Sequence, residues 1–442
     1  NNAFVTSPGS APSRASILTG RMPWANEQAG THASLFPQKY KTFPLMLQEN
    51  GYHIGFTCKG WGPGNFIDAG WPHNPAGIEY NSRTLTPPYK GINNNDYSAN
   101  FDDFLSARKN HQPFFFWFGA KEPHRSYEKN SHKKEGRDLS EAYVPSFMPE
   151  NDTVRGDILD YATEIEWYDK QLGKVLDKLE SIRELDNTLI IITSDNGMPF
   201  PMAKGNCYDQ GIHVPLTICW KKVIPGNRVV NDMISMVDIA PTILEASETK
   251  FTSSMPMTGK SMMKLLKSTK QGIVDSTYSA VFACRERHSS ARYNNLGYPM
   301  RMVRTSKYLY IRNLHPERWP AGDPQKYDSS GVLGPMHGGY HDIDDGTTIN
   351  MYCESFDDPI IKPYFIAATA KRDYEELFDI ESDPGCMNNL VKNPSFSIVI
   401  NKLRKLLDSE LVRTEDSRVT GNNPEIWETY KRYSEIRIFP NK

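Results

Sequence analysis

The chain has 442 residues, 38% of them hydrophobic and 11% aromatic, enough for a sizeable core and for two or three domains. Its 51 Lys and Arg against 53 Asp and Glu give a formal charge of −2, which excludes the basic balance of a generic nucleic-acid binder. A 24% charged fraction excludes wholesale disorder, and no apolar run approaches the roughly 18 residues of a membrane-spanning helix.

Taken in order, Asn2-Ala3-Phe4-Val5 reads as a strand entering a loop. Asn1 is neither an initiator Met nor part of a signal peptide, so the natural beginning is expected upstream. Ser13 is a candidate cap for a helix that follows it. Buried strands are predicted for Phe114-Phe115-Phe116-Trp117-Phe118-Gly119, Leu189-Ile190-Ile191-Ile192-Thr193, Leu216-Thr217-Ile218-Cys219-Trp220 and Ser279-Ala280-Val281-Phe282-Ala283. Continuous apolar runs suit a central sheet covered on both faces. Between the first two, Ile158, Ala162, Ile165, Leu172, Val175, Leu176 and Leu179 recur mostly at three- and four-residue steps. They predict a packing helix capped by Asp152 or Thr153.

After about residue 295 the alternation in Met300-Arg301-Met302-Val303-Arg304 and Tyr308-Leu309-Tyr310-Ile311-Arg312 changes to that of hairpin strands with one wet face. Glu376-Leu377-Phe378-Asp379-Ile380 adds a strand, and a helix with Ile398, Ile400, Leu403, Leu406 and Leu407 follows. The stretch from Asn313 to Asn350 reads as a long surface loop. The expected fold is α/β: a large mixed, mostly parallel central sheet with helices on both faces (residues 1–294), then a smaller C-terminal antiparallel sheet plus helix subdomain (residues 295–442). The cysteines Cys58, Cys207, Cys219, Cys284, Cys353 and Cys386 form no CxxC and read as free buried thiols.

The chemistry is concentrated in Ser10-Ala11-Pro12-Ser13-Arg14, followed by Ala15-Ser16-Ile17-Leu18-Thr19-Gly20-Arg21. This run closely resembles the signature of the type I, formylglycine-dependent sulfatases. The resemblance implies that residue 10, Cys in most members and Ser here, is oxidised to an aldehyde by a formylglycine-generating maturase. A serine hydroxyl is a weak nucleophile at its free pKa. A hydrated aldehyde offers one hydroxyl to attack sulfur and another whose deprotonation expels the sulfate.

Further marks of the family follow. Lys59, in Gly55-Phe56-Thr57-Cys58-Lys59-Gly60-Trp61-Gly62, matches its sulfate-binding lysine, while Trp61 stands where the family has a histidine. His124, in Glu122-Pro123-His124-Arg125, matches the histidine that contacts sulfate and protonates the leaving group, a task suited to its ordinary pKa range. Asp195 and Asn196 match the pair that supplies oxygen ligands to Ca²⁺ or Mg²⁺, with residue 10 as a third. Lys204 matches the cation that neutralises sulfate and nucleophile, and Arg14 joins Lys59 and Lys204 around the sulfuryl oxygens. Two more metal ligands are implied, from an Asp-Asp pair on a first strand. Asp102-Asp103 lies in a helix-like context and does not replace it, so that pair is expected before Asn1.

Ser194-Asp195-Asn196-Gly197-Met198-Pro199-Phe200-Pro201, Tyr298-Pro299-Met300-Arg301, and Glu376-Leu377-Phe378-Asp379 with Asp383-Pro384 resemble the heparan N-sulfatase (sulfamidase) branch and its bacterial relatives. Arg125 and the run Arg285-Glu286-Arg287-His288 are the candidates for binding the sugar, because guanidinium groups pair with carboxylate or sulfate. The expected activity is hydrolysis of sulfate esters or N-sulfates on a sulfated saccharide, glycosaminoglycan-derived. The expected setting is periplasmic, exported or lysosome-like. The alternatives are a phosphate or phosphonate ester hydrolase of the wider superfamily, an inactive saccharide-binding relative, and a Cys-to-Ser variant that traps substrate.

Overall fold

The computed structural model describes residues 1–109 and 111–440. Its first region carries strands β1 (Ala3–Phe4), β2 (His53–Cys58), β3 (Ile78–Glu79), β4 (Phe114–Gly119), β5 (Ile190–Thr193), β6 (His213–Val214), β7 (Leu216–Cys219) and β8 (Ile234–Ser235). β2 lies between β3 and β4, parallel to both, and pairs with β4 from His53↔Phe114 to Cys58↔Gly119. β5 and β7 pair antiparallel. β1 runs parallel to β8 and antiparallel to β6.

The sheet of the α/β region is therefore mixed, as expected, but it is divided into ladders of three, two and three strands. β4 and β5 each have one hydrogen-bonded neighbour among the described residues, and their side chains are largely half-buried rather than covered on both faces.

The helix Asp152–Ser181 begins at a cap one residue earlier than predicted: the Asn151 side chain accepts from the Val154 N–H at 3.0 Å. Its inner face is only partly the predicted apolar stripe. Val175 and Leu179 are buried, whereas Ile165 is exposed and Asp157, Asp160 and Glu164 are buried. Asp157 and Asp160 are inside because donors meet them there, while burial pushes the Glu164 carboxyl, whose Oε2 has no partner, up to about 8. Asp160 accepts the N–H groups of Asn130 and His132, the Ser131 hydroxyl and the His132 imidazole, and so anchors the loop that follows β4. A buried carboxylate is tolerable when donors surround it in this way.

The second region is the antiparallel sheet β12-β11-β10-β9, made of β9 (Ala280–Arg285), β10 (Met300–Thr305), β11 (Tyr308–Asn313) and β12 (Glu375–Asp379). β9 corrects the sequence reading, which put Ser279-Ala280-Val281-Phe282-Ala283 in the central sheet. It pairs with β10 from Ala280↔Thr305 to Arg285↔Met300, so one sheet joins residues on both sides of position 294. The wet face expected of β10 is corrected too: Met300 to Arg304 are all buried, because the polar positions Arg301 and Arg304 pair with Asp416 and Asp209. The helix Ser397–Arg413 lays Ile400, Leu403, Leu407 and Leu411 into a cluster with Val303, Tyr310 and Leu377.

The segment read as a surface loop folds back inward, burying Tyr340, Asp342 and Ile343. The six cysteines are free, with Cys207, Cys284 and Cys386 buried and Cys219 exposed. Among the described residues no helix is long and apolar enough to cross a membrane.

One polar group organises the second region. The Arg301 guanidinium, 1% exposed, donates to Glu286 at 2.7 Å and to both Asp416 oxygens. Removing one partner of a buried ion pair strands the other. Arg301→Met should therefore lower stability by about 3–5 kcal/mol, read as a shifted denaturant midpoint; a midpoint unchanged from wild type would contradict this.

Candidate active site

Helix α1 (Ser10–Thr19) starts at Ser10 itself, with Gly9 as its N-cap residue, so Ser13 lies inside the helix and does not cap it. Ser10 thus sits in the first turn, where backbone N–H groups and the helix dipole favour negative charge. A Cβ on Gly9 would lie 2.9 Å from the His288 Nδ1, so only glycine lets this imidazole approach the turn.

The other groups arrive from the ends of strands, as expected for an open α/β sheet. Lys59 follows β2, His124 follows β4, Asp195 and Asn196 follow β5, and His288 follows β9. The Lys59 Nζ donates to the Ser10 Oγ at 3.0 Å, and the Asn196 Nδ2 donates to it at 3.3 Å.

Arg14 lies beneath them. Its Nε donates to Asp195 at 2.6 Å, while its Nη1 donates to the carbonyls of Lys59 and Gly60 at 2.6 and 2.7 Å. Trp61, where a histidine was expected, instead donates its indole N–H to the Ala11 carbonyl at 3.1 Å and is buried against α1.

A cavity of about 410 Å³ opens over Ser10, lined also by Lys59, His124, Lys204, His288 and Asp344. The His124 Nδ1–H donates to the Arg125 carbonyl at 2.6 Å, which leaves Nε2 to accept from the Lys204 Nζ at 3.3 Å. Lys204 in turn donates to Asp344 at 2.6 Å.

The Lys204 charge, then burial, hold the His124 pKa down at about 4. Burial does the same for His288, also at about 4, and keeps His32 well below its ordinary value. Burial first, then Arg14, brings Lys59 to about 7, although 25% of its side chain remains accessible. For Asp195 burial acts to raise the pKa, but Arg14 and Lys59 outweigh it and hold the carboxyl well below the usual range. Lys204 and His124 do the same for Asp344.

Of the residues expected in the site, Ser10, Lys59, His124, Lys204 and His288 line the cavity, and Arg14, Asp195 and Asn196 support it from beneath. The expectation for the remaining sugar-binding candidates is corrected, because none of them lines the cavity and each is already paired within the protein. Arg125 makes a two-pronged pair with Asp157 at 2.8 and 2.7 Å and donates to the Pro199 carbonyl, packed 4.6 Å from the Phe200 ring. Arg285 pairs with buried Asp342. Glu286 is taken by Arg301 and Arg418, and Arg287 donates to the Tyr430 carbonyl and the Ser34 hydroxyl.

The sequence reading missed His32, Lys121, Asp344, His341, Arg432 and Arg437, which all reach the cavity wall. The acidic run at Asp342, Asp344 and Asp345 was the one local signal for Asp344.

The residues beside Ser10 were also expected to hold calcium. Asp195, the Asn196 amide and the oxygen of residue 10 are hard donors of the right kind, but calcium takes six to eight oxygens. Among the described residues no group of three His, Cys, Asp or Glu ligand atoms forms around Asp195. Its carboxylate is engaged by Arg14 at 2.6 Å and by Lys59 at 3.8 Å. These donors do not complete a calcium site by themselves. The position-10 oxygen accepts from two side-chain donors, which takes up both lone pairs of one hydroxyl.

Residues 1–249 match the family described as Sulfatase, and residues 202–327 match the family described as N-sulphoglucosamine sulphohydrolase, C-terminal. The chain is 26% identical, over an alignment of 449 residues, to human N-sulphoglucosamine sulphohydrolase, covering 94% of this chain and 83% of that one. It is 27% identical over 417 residues to an ulvan-active sulfatase of Formosa agariphila, covering 91% of this chain and 70% of that one. A solved structure in complex with its substrate, D-glucosamine-2-N,6-O-disulfate, shares the fold with a TM-score of 0.63. The match covers 96% of this chain and 91% of that chain at 17% identity.

If the Lys204 charge is what holds His124 neutral, Lys204→Met should raise the imidazole pKa from about 4 toward the ordinary 6.5. An NMR titration of the His124 ring reads this directly, and an unmoved midpoint would assign the shift to burial.

Proposed function

The chain belongs to the sulfatase family, and from the geometry of its cavity we propose that it removes sulfate, as an ester or an N-sulfate, from a sulfated saccharide. The observation that carries the reading is the meeting of the Ser10 Oγ with the Lys59 Nζ at 3.0 Å, on the floor of a cavity whose wall is dominated by cations. A tetrahedral anion over Ser10 would meet Lys59 and Lys204 as charges and the first turn of α1 as a dipole. The human and Formosa relatives are named for sulfohydrolase and sulfatase activity, which supports the same substrate class.

We assign the groups as follows. Formylglycine at position 10, made by a maturase from Ser10, would supply a hydrated pair of hydroxyls in place of one poorly nucleophilic alcohol. Lys59 and Asn196 orient the oxygen at that position and Arg14 fixes Lys59 through its carbonyl. Lys59 and Lys204 stabilise charge on the sulfuryl oxygens. His124 presents its Nε2 toward the cavity with Nδ1–H held by a carbonyl, the orientation for passing a proton to the departing oxygen or nitrogen. An anion beside Lys204 offsets the charge that keeps this imidazole neutral, so substrate binding itself loads the acid. Asp195 and Asn196 are oxygen donors for a Ca²⁺ or Mg²⁺ ion that would draw its other ligands from elsewhere, and no step above depends on it.

The test is the mass of the peptide spanning Ser10 in protein from its native host, together with sulfate release from N- and O-sulfated glucosamine. Loss of two hydrogens at Ser10 with sulfate release is the expected result. An unmodified serine with binding but no release would make the protein a binding relative, and release from phosphate esters alone would make it a phosphatase.

The lowered Lys59 pKa carries a second expectation. The free site holds this ammonium near pKa 7, and a bound anion raises it. Below that pH the lysine is already charged, whereas above it binding must take up a proton. The dissociation constant for a sulfated sugar should therefore weaken as pH rises from 7 to 9. Calorimetry at pH 8 in buffers of different ionisation enthalpy should show uptake that Lys59→Arg, charged throughout, does not contribute.

A further inference from the structure

The last described stretch of the chain, residues 430–440, crosses the rim of the cavity as a fixed strap. The Arg287 Nη1 donates to the Tyr430 carbonyl at 2.8 Å, and the Tyr433 N–H donates to the Ala33 carbonyl at 2.7 Å. The Arg437 N–H donates to the Ser290 hydroxyl at 2.8 Å, and the Tyr327 N–H donates to the Ile438 carbonyl at 2.9 Å. Phe439 is buried, its ring 6.4 Å from that of His341. The strap delivers Arg432 and Arg437 to the cavity wall.

The two arginines differ in what they already hold. Arg437 pairs with Glu435 at 3.1 Å and donates to the Ser290 carbonyl. Arg432 is half-buried and donates its Nε to the Glu435 carbonyl at 3.2 Å. Its Nη1 is buried with no hydrogen-bond partner. Asp342, whose charge Arg432 feels, is already shared by Arg285 and Arg292. A desolvated guanidinium with a spare donor on a cavity wall is an anion site awaiting its anion.

The wall from Ser10 to Arg432 passes His288, which packs on Gly9, and then His32, whose ring centroid lies 5.3 Å from that of His288 and which feels the Arg432 charge. The wall as a whole carries Lys59, Lys121, Lys204, Arg432 and Arg437 against Asp344. Lys204, Lys59 and Arg437 already have carboxylates beside them in Asp344, Asp195 and Glu435, whereas Arg432 keeps a buried donor without a partner.

We propose that Arg432 binds a second anionic group, sulfate or carboxylate, on the same saccharide whose sulfate lies over Ser10. This makes the strap the element that selects multiply charged substrates, and it rests on reading the cavity as a sulfated-saccharide site.

The experiment compares wild type, Arg432→Ala, Arg432→Gln and Arg432→Lys on three sugars: N-sulfoglucosamine, glucosamine N,6-disulfate, and a disaccharide joining N-sulfoglucosamine to a uronic acid. Dissociation constants come from calorimetry and kcat/KM from sulfate release. The readout is the preference for a two-anion sugar over the one-anion sugar. Wild type should show a preference of at least about tenfold, Arg432→Ala and Arg432→Gln should abolish most of it, and Arg432→Lys should keep a part. A preference for the disulfate identifies sulfate as the second anion, and a preference for the disaccharide identifies carboxylate.

The inference is overturned if wild type shows no preference, or if the preference survives in both Arg432→Ala and Arg432→Gln. Melting midpoints show which variants fold, and the glutamine variant carries the test if alanine does not. Should wild type bind these sugars without releasing sulfate, the hydrolytic reading fails while the dissociation constants still decide the role of Arg432.

Discussion

The contact on which the site depends is the one Arg14 makes in three directions at once. A single guanidinium ties α1 to the carboxylate that follows β5 and to the two carbonyls that follow β2. The planar fork suits this, since its donors leave in fixed directions and cannot all be satisfied unless the three segments are in place. Lysine, with one point of charge, could not bracket them. Because Ser10 stands one helical turn before Arg14, fixing the arginine also fixes where the Ser10 oxygen lies relative to Lys59 and Asn196. A buried charge pair of this kind is costly to break from one side, on the order of 3–5 kcal/mol, so the site geometry and the local stability share one origin.

Above that bracket the cavity is a problem in charge management. The Lys204 ammonium, 3.3 Å from the His124 Nε2, and then burial hold that imidazole low, burial does the same for His288, and the result is a site whose histidines are neutral before substrate arrives. Asp344 moderates this by holding Lys204, which keeps the ammonium fixed beside His124 instead of free to swing into solvent. The arrangement is complementary to negative charge in the bound state rather than balanced in the free one. It follows that protonation and binding are coupled, and that an acid with a low resting pKa is compatible with proton donation once the anion is in place.

The arginines show how little a charged side chain says about its own role. Arg125 and Arg285 look like recognition groups at the ends of buried strands, yet each is spent on an aspartate. Those pairs position loops: Asp157 also takes the Thr348 N–H and hydroxyl, so Arg125 links the β4 loop to the segment that carries Asp344. Phe200 and Pro199, read from the sequence as marks of one branch of the family, serve the same clamp by packing on and accepting from this guanidinium. Cations that face the cavity come partly from the far end of the chain.

What the sequence determined by itself was local. Apolar runs such as Phe114-Phe115-Phe116 and Ile190-Ile191-Ile192 declare strands, and a run as long as that from Ser10 to Arg21 declares its family. Lys59, His124, Asp195 and Asn196 were legible because they match the family's motifs, and for His124 the place just beyond a strand end added to that. The tertiary structure alone decided which charges were free. A charge needs a partner, and the partners lie 32 residues away for Arg125, 57 for Arg285 and 115 for Arg301, beyond any local pattern. The same holds for β9, whose apolar run fits either sheet and was settled by pairing with β10. It holds again for Asp344, which read as loop, and for Arg432, on which no local pattern bore; both became cavity wall because residues 340–344 and 430–440 fold back onto the rim. Periodicity records which side of an element meets apolar surface; only the folded chain brings distant charges close enough to choose between pairing and binding.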